Sequence, residues 1–255
     1  MIIRYGTLGL GGNVMAEDKN SMWIYGRHAV VAAARNKRRK IIKLAVLSQN
    51  EELIQELQSF INEIDVVSKD FFVNHFGKDV IHQGCAALVT KLDEIYLEDL
   101  SDDDSPLLFL DQVTDPQNIG SILRAAAVFG AKAVVLPEAN TPGLTSAMIK
   151  VASGAAERVP LIKVKNLVQS IRFLQQRGYW CLGLDEHADK QIYQTDLRGK
   201  FIIVVGSEGR GMRRLTREVC DFLVQLPSFG SFSTLNAAQA ATVSLYEYLK
   251  QNRGD

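Results

Sequence analysis

The second part of the sequence alternates short apolar runs with helix-forming stretches, and no other feature constrains the fold as strongly. The runs read LLFLD, AVVLP, VPLIKV, YWCLGL, FIIVV and DFLVQLP. Helical stretches are expected after Asn118, Thr145, Asn166, Met212 and Thr234. Continuous apolar strands that alternate with helices are typical of a mainly parallel sheet covered on both faces. Residues 106–255 are therefore predicted to form an α/β domain.

A smaller unit is predicted upstream, in residues 22–98. KLAVLS, IDVVS and CAALVT read as strands, and EELIQELQSFINE reads as an amphipathic helix. The segment 99–105 carries four aspartates and no basic residue, which indicates an acidic linker between two domains. Residues 1–21 fit neither domain and are interpreted as an N-terminal extension.

Composition narrows the class of protein. The chain has 255 residues, of which 47% are hydrophobic and 23% charged, as expected of a globular protein. No apolar run approaches the roughly 18 residues of a membrane span, and the N-terminus lacks the pattern of a secretory signal. We expect a cytoplasmic protein with no membrane partner. The three cysteines form no CxxC pair, which argues against a disulfide framework and against a metal site.

The net charge is zero, but the charges are unevenly distributed. Residues 106–255 carry 17 Lys/Arg against 13 Asp/Glu. The N-terminal domain contains one dense basic cluster, RNKRRK, with the charged residues Arg35, Lys37, Arg38, Arg39 and Lys40. Such a cluster can bind nucleic-acid phosphates, and a solvated helix end is the alternative.

A glycine-rich loop, VGSEGRGM, follows the FIIVV run. A triphosphate loop would need GxxxxGK[ST], but this loop lacks the Lys, and Glu208 would repel phosphate. Its glycines allow close backbone approach, which suits an adenosine-type ligand with little negative charge. A tight turn without a ligand is the alternative. The other glycine-rich stretch, GTLGLGGN, does not continue as a dinucleotide-binding fingerprint, because position 14 is Val.

Two further stretches accompany this loop. In LDQVTDPQNIGSILRAAAVFG, Asn118 and Arg124 lie about 240° apart around one helix, with Gly120 between them. In LPSFGSFSTLNAAQAATVSLYEYLK, a hydroxyl and an amide, Thr234 and Asn236, begin a helix rich in alanine. Taken alone, Asn118 and Asn236 could be helix caps, and Arg124 could be a surface residue.

Together the three stretches resemble the three motifs of the SpoU/TrmH class of SPOUT RNA 2′-O-methyltransferases. The first motif is met by Asn118, Gly120 and Arg124; the second by Gly206, Glu208, Gly209 and Gly211; the third by Pro227, Gly230, Leu235 and Asn236. The resemblance extends over residues 22–255 and is greatest to the branch that methylates a guanosine of bacterial 23S rRNA. One departure concerns the family's motif-three Ser, which is Thr234 here and adds a methyl group beside the hydroxyl.

The resemblance implies a fold and a chemistry. The fold would be a trefoil-knotted α/β methyltransferase domain preceded by a small α/β domain similar to ribosomal protein L30e. The methyl donor would be S-adenosyl-L-methionine, and the partners would be 23S rRNA and a second copy of the chain in a homodimer. A tRNA guanosine is the alternative target. A non-catalytic rRNA-binding assembly factor is the alternative function, and a nucleotide-dependent oxidoreductase is opposed by the missing fingerprint.

The resemblance also implies roles for individual residues. The expected cofactor-binding residues are Gly206, Gly209, Gly211, Leu226 and Leu235. The expected catalytic residues are Asn118, Arg124, Glu208, Thr234 and Asn236. Family proposals make the motif-one Arg the base, but a guanidinium stays protonated in proteins, so Arg124 is interpreted as a clamp on phosphate or ribose.

Overall fold

A computed structural model describes residues 2–5, 20–139, 141, 143–230 and 235–253. The chain divides into two compact units, Met1–Asp93 and Glu94–Asp255. In the part of the chain described, no helix combines the length and the apolar character needed to span a bilayer.

The described residues of the first unit form a five-stranded mixed sheet with three helices. Its strands follow the order β1-β4-β3-β5-β2, in which β1, β4 and β3 are parallel and β5 runs antiparallel to β3 and β2. Its elements are β1 (Ile2–Tyr5), β2 (Ser21–Tyr25), α1 (Arg27–Arg35), β3 (Ile41–Leu47), α2 (Glu51–Gln58), β4 (Glu63–Val67), α3 (Lys69–Phe76) and β5 (Cys85–Thr90).

Two segments outside the predicted domains make contacts that the sequence did not indicate. Residues 2–5, expected to belong to neither domain, form an edge strand of the first sheet. The acidic segment 99–105 belongs to the second unit, and it is held there by basic side chains. Lys200 Nζ lies 2.6 Å from Asp102 Oδ1, and Lys132 Nζ lies 3.1 Å from Asp103 Oδ1. The two lysines that pair with these aspartates are distant from them in sequence.

The second unit is a seven-stranded, wholly parallel sheet in the order β10-β12-β9-β11-β6-β7-β8. Its strands are β6 (Leu107–Asp111), β7 (Ala133–Pro137), β8 (Leu161–Val164), β9 (Trp180–Leu184), β10 (Lys190–Gln191), β11 (Phe201–Gly206) and β12 (Phe222–Gln225). Its helices are α4 (Pro116–Phe129), α5 (Ser146–Ala152), α6 (Leu167–Gln175), α7 (Arg214–Glu218) and α8 (Ala237–Asn252).

The six apolar runs each contain a strand of this sheet, and the central strands are buried along their length. The prediction of a mainly parallel α/β sheet is confirmed. Because parallel strands end at one edge, the carboxyl ends of β6 and β11 lie side by side, with Gly206 in register with Asp111. The segments that carry the first and second motifs leave the sheet at this edge.

Candidate functional site

The glycine loop that follows β11 is a tight, closed turn. Ser207 and Gly211 exchange two main-chain hydrogen bonds, with N···O distances of 3.1 and 2.9 Å. Within and at the end of the turn, Gly209 and Gly211 have φ angles of +75° and +65°, which favour glycine. A Cβ at Gly206 would lie 2.5 Å from the main-chain nitrogen of Met212. The glycines are therefore required for the loop to fold back onto its own strand.

The first motif occupies the start of α4. Asp115 caps this helix, since its carboxylate accepts hydrogen bonds from the main-chain N–H groups of Gln117 at 3.1 Å and Asn118 at 3.3 Å, and Pro116 occupies the first turn. The capping role considered for Asn118 thus belongs to Asp115. The side chain of Asn118 is left free to point elsewhere.

Gly120 brings α4 close to α5. A Cβ at this position would lie 2.8 Å from the carbonyl oxygen of Met148 and 2.8 Å from Val151 Cβ. The close approach expected at Gly120 is therefore occupied by the backbone of a neighbouring helix, and this contact fixes where the start of α4 lies.

The first and second motifs meet through a direct hydrogen bond. Asn118 Nδ2 donates to Glu208 Oε1 at 3.0 Å, joining residues that lie 90 positions apart in the sequence. Asn118 is half-buried and Glu208 is exposed. The contact places an amide and a carboxylate together at the carboxyl edge of the sheet, where a ligand can reach them.

Asp111 and Arg213 make a second link between the same two segments, and sequence reasoning missed it. Asp111 is fully buried, and its carboxylate accepts from the main-chain N–H of Arg213 at 2.8 Å and from its Nε at 2.6 Å. Gln112, with a φ of +64°, adds a weaker bond from Nε2 to the Gly211 carbonyl oxygen at 3.4 Å. The one sequence signal for this contact was Asp111 itself, an acidic residue at the end of an apolar strand.

Arg124 lies on α4 beyond the first turn and is exposed. Among the residues described, it makes no hydrogen bond or ion pair with another side chain. Its guanidinium therefore stays available to an external anion, although the structure does not bring it to Asn118 or Glu208.

The third motif is described in part. Asn236 caps α8: its side chain accepts from the main-chain N–H of Gln239 at 2.8 Å, and the Gln239 side chain accepts from the Asn236 N–H at 3.2 Å. Of the expected cofactor-binding residues, Leu226 is half-buried and Leu235 is 46% exposed. Thr234 lies outside the described residues.

The basic cluster of the first unit is not uniformly available to RNA. Arg39 is only 5% exposed, so burial removes it from the surface that a phosphate could reach. Arg35 lies 2.9 Å from a carboxylate oxygen of Glu56, and its guanidinium carbon lies 5.3 Å from the Phe60 ring centroid. The cluster's other cations, Lys37, Arg38 and Lys40, are exposed.

Two family models and several curated proteins match this chain. The model of the SpoU rRNA Methylase family matches residues 105–246, and the model described as "RNA 2'-O ribose methyltransferase substrate binding" matches residues 23–95. The chain is 40% identical to the 23S rRNA (guanosine-2'-O-)-methyltransferase RlmB of Shewanella oneidensis, over 90% of this chain and 97% of that relative. It is 44% identical to RlmB of Pseudomonas syringae, over 89% of this chain and 95% of that relative.

Among solved structures, the SpoU methyltransferase AviRb from Streptomyces viridochromogenes, crystallised with the cofactor AdoMet, has the same fold. Its TM-score is 0.78 at 24% identity, over 92% of each chain. The family model spans more than half of the chain, and the curated relatives align over nearly all of it. This chain is a member of the SpoU rRNA methylase family.

Proposed function

We propose that this protein transfers a methyl group from S-adenosyl-L-methionine to the ribose 2′-OH of a guanosine in 23S rRNA. The observation that carries the proposal is the hydrogen bond between Asn118 and Glu208, which assembles the first two motifs into one site. The two RlmB relatives, named for this reaction, support the choice of substrate.

The cofactor-binding residues suit an adenosine-type methyl donor. A Cβ at Gly209 or Gly211 would point into open space, so the main chain of the loop is accessible on that side. Leu226 and Leu235 add partly exposed apolar surface that a flat base could cover. S-adenosyl-L-methionine supplies an activated methyl group, and the loop's residues would hold its adenosine through main-chain and apolar contacts.

The remaining motif residues would hold the target nucleotide. Asn118 and Glu208 would contact the ribose, since they meet at the sheet edge, and Arg124 would bind a phosphate as a fixed cation. Asn236 would lie against the nucleotide from the start of α8, and the family resemblance assigns Thr234 to the same nucleotide. Positioning of the two reactants supplies much of the rate in such a transfer.

The first unit would bind the RNA as an L30e-like domain. The exposed cations Lys37, Arg38 and Lys40 would contact phosphates, so binding would weaken as salt rises. Replacing all three by Ala should reduce the slope of log K against log salt by about 2–3, at roughly 0.7–0.9 per contact. The control is Lys69→Ala, an exposed lysine of the same unit outside the cluster. An unchanged slope in the triple variant would show that the cluster does not contact phosphates and is a solvated helix end.

The catalytic unit would be knotted and would pair with a second copy. In the sheet, strands β9, β11 and β6 follow β12 in that order. Helix α8, which follows β12 in the chain, packs against α4, the helix that follows β6. The chain must therefore pass from the β12 side of the sheet back towards β6 before α8 begins. The α4–α8 surface exposes Val128 (69%), Tyr246 (56%) and Val243 (39%). Such a patch suits a subunit interface. Tyr246→Glu should convert a dimer to a monomer in sedimentation velocity, and a wild-type monomer would refute this part.

The central experiment measures methyl transfer from labelled S-adenosyl-L-methionine to 23S rRNA fragments and to total tRNA, followed by mapping of the 2′-O-methyl group. We expect label in one guanosine of 23S rRNA. Label in tRNA alone would show that the substrate is tRNA and not 23S rRNA. RNA binding without methyl transfer would favour a non-catalytic assembly factor.

A further inference from the structure

Three carboxylates belong to the two segments that the Asn118–Glu208 contact joins: Asp111, Asp115 and Glu208. Asp111 uses one oxygen for the Arg213 main-chain N–H and the other for its Nε–H. Asp115 uses one oxygen for the Gln117 N–H and the other for the Asn118 N–H. Four of the six carboxylate oxygens therefore serve to hold the backbone and Arg213 in place.

Glu208 is different. Its Oε1 accepts from Asn118 Nδ2 at 3.0 Å, while Oε2 accepts no hydrogen bond from any residue described. The side chain is exposed at the carboxyl edge of the sheet, so an external hydroxyl can reach it. A general base must lie within hydrogen-bond distance of the proton it removes, and Glu208 is the one of these three carboxylates with an oxygen that accepts no hydrogen bond from the described residues.

We propose that Glu208 is the proton acceptor in the methyl transfer; this inference rests on the proposed function. As the ribose O2′–H bond breaks, the proton passes to Glu208 Oε2, and the oxygen's electron pair forms the new O2′–CH₃ bond. The S–CH₃ bond of the sulfonium donor breaks at the same time, and its electron pair remains on sulfur as a neutral thioether. Arg124 keeps its proton and its charge throughout.

Asn118 acts on this step as a positioning residue. Its amide N–H holds Oε1, which fixes the direction of the carboxylate and leaves Oε2 for the substrate. Asn118 is itself held by the Asp115 cap, and the Glu208 loop is held by Asp111 through Arg213. Both segments thus hold the Glu208 carboxylate in place. Because the Asn118 amide is neutral, its hydrogen bond leaves the carboxylate able to accept a proton.

The first test compares Glu208→Gln with the matched control Glu186→Gln, a change at an exposed glutamate of the same unit that lies outside the three motifs. Both changes replace a carboxylate by an amide of the same size. Glu208→Gln should lower the single-turnover methylation rate by at least about 100-fold, the lower bound of a general-base contribution, with cofactor affinity unchanged in calorimetry. Glu186→Gln should stay within about 3-fold of wild type. A Glu208→Gln rate within 3-fold of wild type would overturn the proposal.

Chemical rescue separates a proton acceptor from a structural role. Glu208→Ala should lose activity and regain at least 10-fold of it in molar formate, because a small carboxylate can occupy the vacated space and accept the proton. Asn118→Ala retains the base and should gain nothing from formate. If Glu208→Ala binds the cofactor normally but formate restores nothing, the role as proton acceptor is wrong.

The assay uses whichever RNA the wild-type enzyme methylates, so that a failure of the proposed substrate can be distinguished from a failure of the proposed role of Glu208. A wild-type enzyme that methylates tRNA only would refute the proposed substrate and leave the Glu208 test intact. A wild-type enzyme that methylates no RNA would refute both.

Discussion

The carboxylate of Asp111 is fully buried and binds Arg213 twice, through its main-chain N–H at 2.8 Å and through Nε at 2.6 Å. Asp111 ends β6, and Arg213 immediately precedes α7, beyond the glycine loop. Because the arginine side chain is itself 49% exposed, the pair links the core of the sheet to its surface. The link anchors the far end of the loop that carries Glu208.

Asp111→Asn should destabilise the protein by about 2 kcal/mol, since an amide cannot satisfy both Arg213 donors and the site is buried. Arg213→Ala should cost a similar amount, and the double variant should fall short of the sum by about 1 kcal/mol or more. Urea unfolding measures all three. Asp196→Asn is the control, because its pair with Arg198 is exposed and should contribute little. Additive losses would show that Asp111 and Arg213 act independently.

Gly120→Ala should destabilise the second unit by about 1–3 kcal/mol, because the added Cβ meets the Met148 carbonyl oxygen and Val151 at 2.8 Å and forces α4 away from α5. Gly143→Ala is the matched change. Its Cβ would meet only the flexible Lys163 Nζ, at 3.6 Å, and should cost less than about 0.5 kcal/mol. Thermal unfolding of the two variants checks the difference, and equal midpoints would contradict the close packing inferred at Gly120.

Asn236→Ala separates the capping role of Asn236 from its proposed role at the nucleotide. Asn166 caps α6 in the same way, accepting from the Gln169 N–H at 3.1 Å. Each Asn→Ala change should cost about 1 kcal/mol of unfolding free energy. We expect Asn236→Ala alone to reduce single-turnover methylation, by about 10-fold or more. If both variants methylate at the wild-type rate, Asn236 is a helix cap and nothing else.

The Lys132–Asp103 contact should make stability depend on pH. Lys132 Nζ, on a side chain 6% exposed, donates to the carbonyl oxygens of Ser101 and Asp103 at 2.7 and 2.9 Å and pairs with the Asp103 carboxylate. Partial burial raises the pKa of Asp103, but hydrogen bonds from Ser101, Ser105 and Lys132 outweigh it and hold the pKa well below its usual range.

A depressed folded-state pKa stabilises the protein above the unfolded-state value of about 4, and this contribution declines as the pH falls below it. Asp103→Asn removes the titrating carboxylate while keeping the size of the side chain. The difference in unfolding free energy between wild type and Asp103→Asn should therefore be larger at pH 7 than at pH 3. Urea titrations at the two pH values measure it, and a difference independent of pH would show that the carboxylate does not contribute.

Most strands and helix ends of the second unit could be predicted, because they depend on residues that are neighbours in the sequence. Apolar runs such as LLFLD and AVVLP coincide with β6 and β7, and Pro116 and Gly130 bound α4 as expected of a first-turn proline and a left-handed C-cap. Strand β2 and helices α1 and α3 were not predicted, although Trp23, Phe71 and Phe72 in them form part of one buried cluster. The contacts of Lys132 and Lys200 with the acidic segment 99–105 could not be predicted, because both lysines are distant from that segment in sequence.

The type of sheet, the glycine loop and the family resemblance could be predicted from the sequence, because strand periodicity, the positions of the glycines and motif spacing are all properties of residue order. Tertiary structure decided which polar groups meet. It paired Asn118 with Glu208 and Asp111 with Arg213, and it buried Arg39 away from solvent. The two pairings depend on the order of parallel strands, since the adjacent carboxyl ends of β6 and β11 bring together side chains that lie about 100 positions apart in the chain.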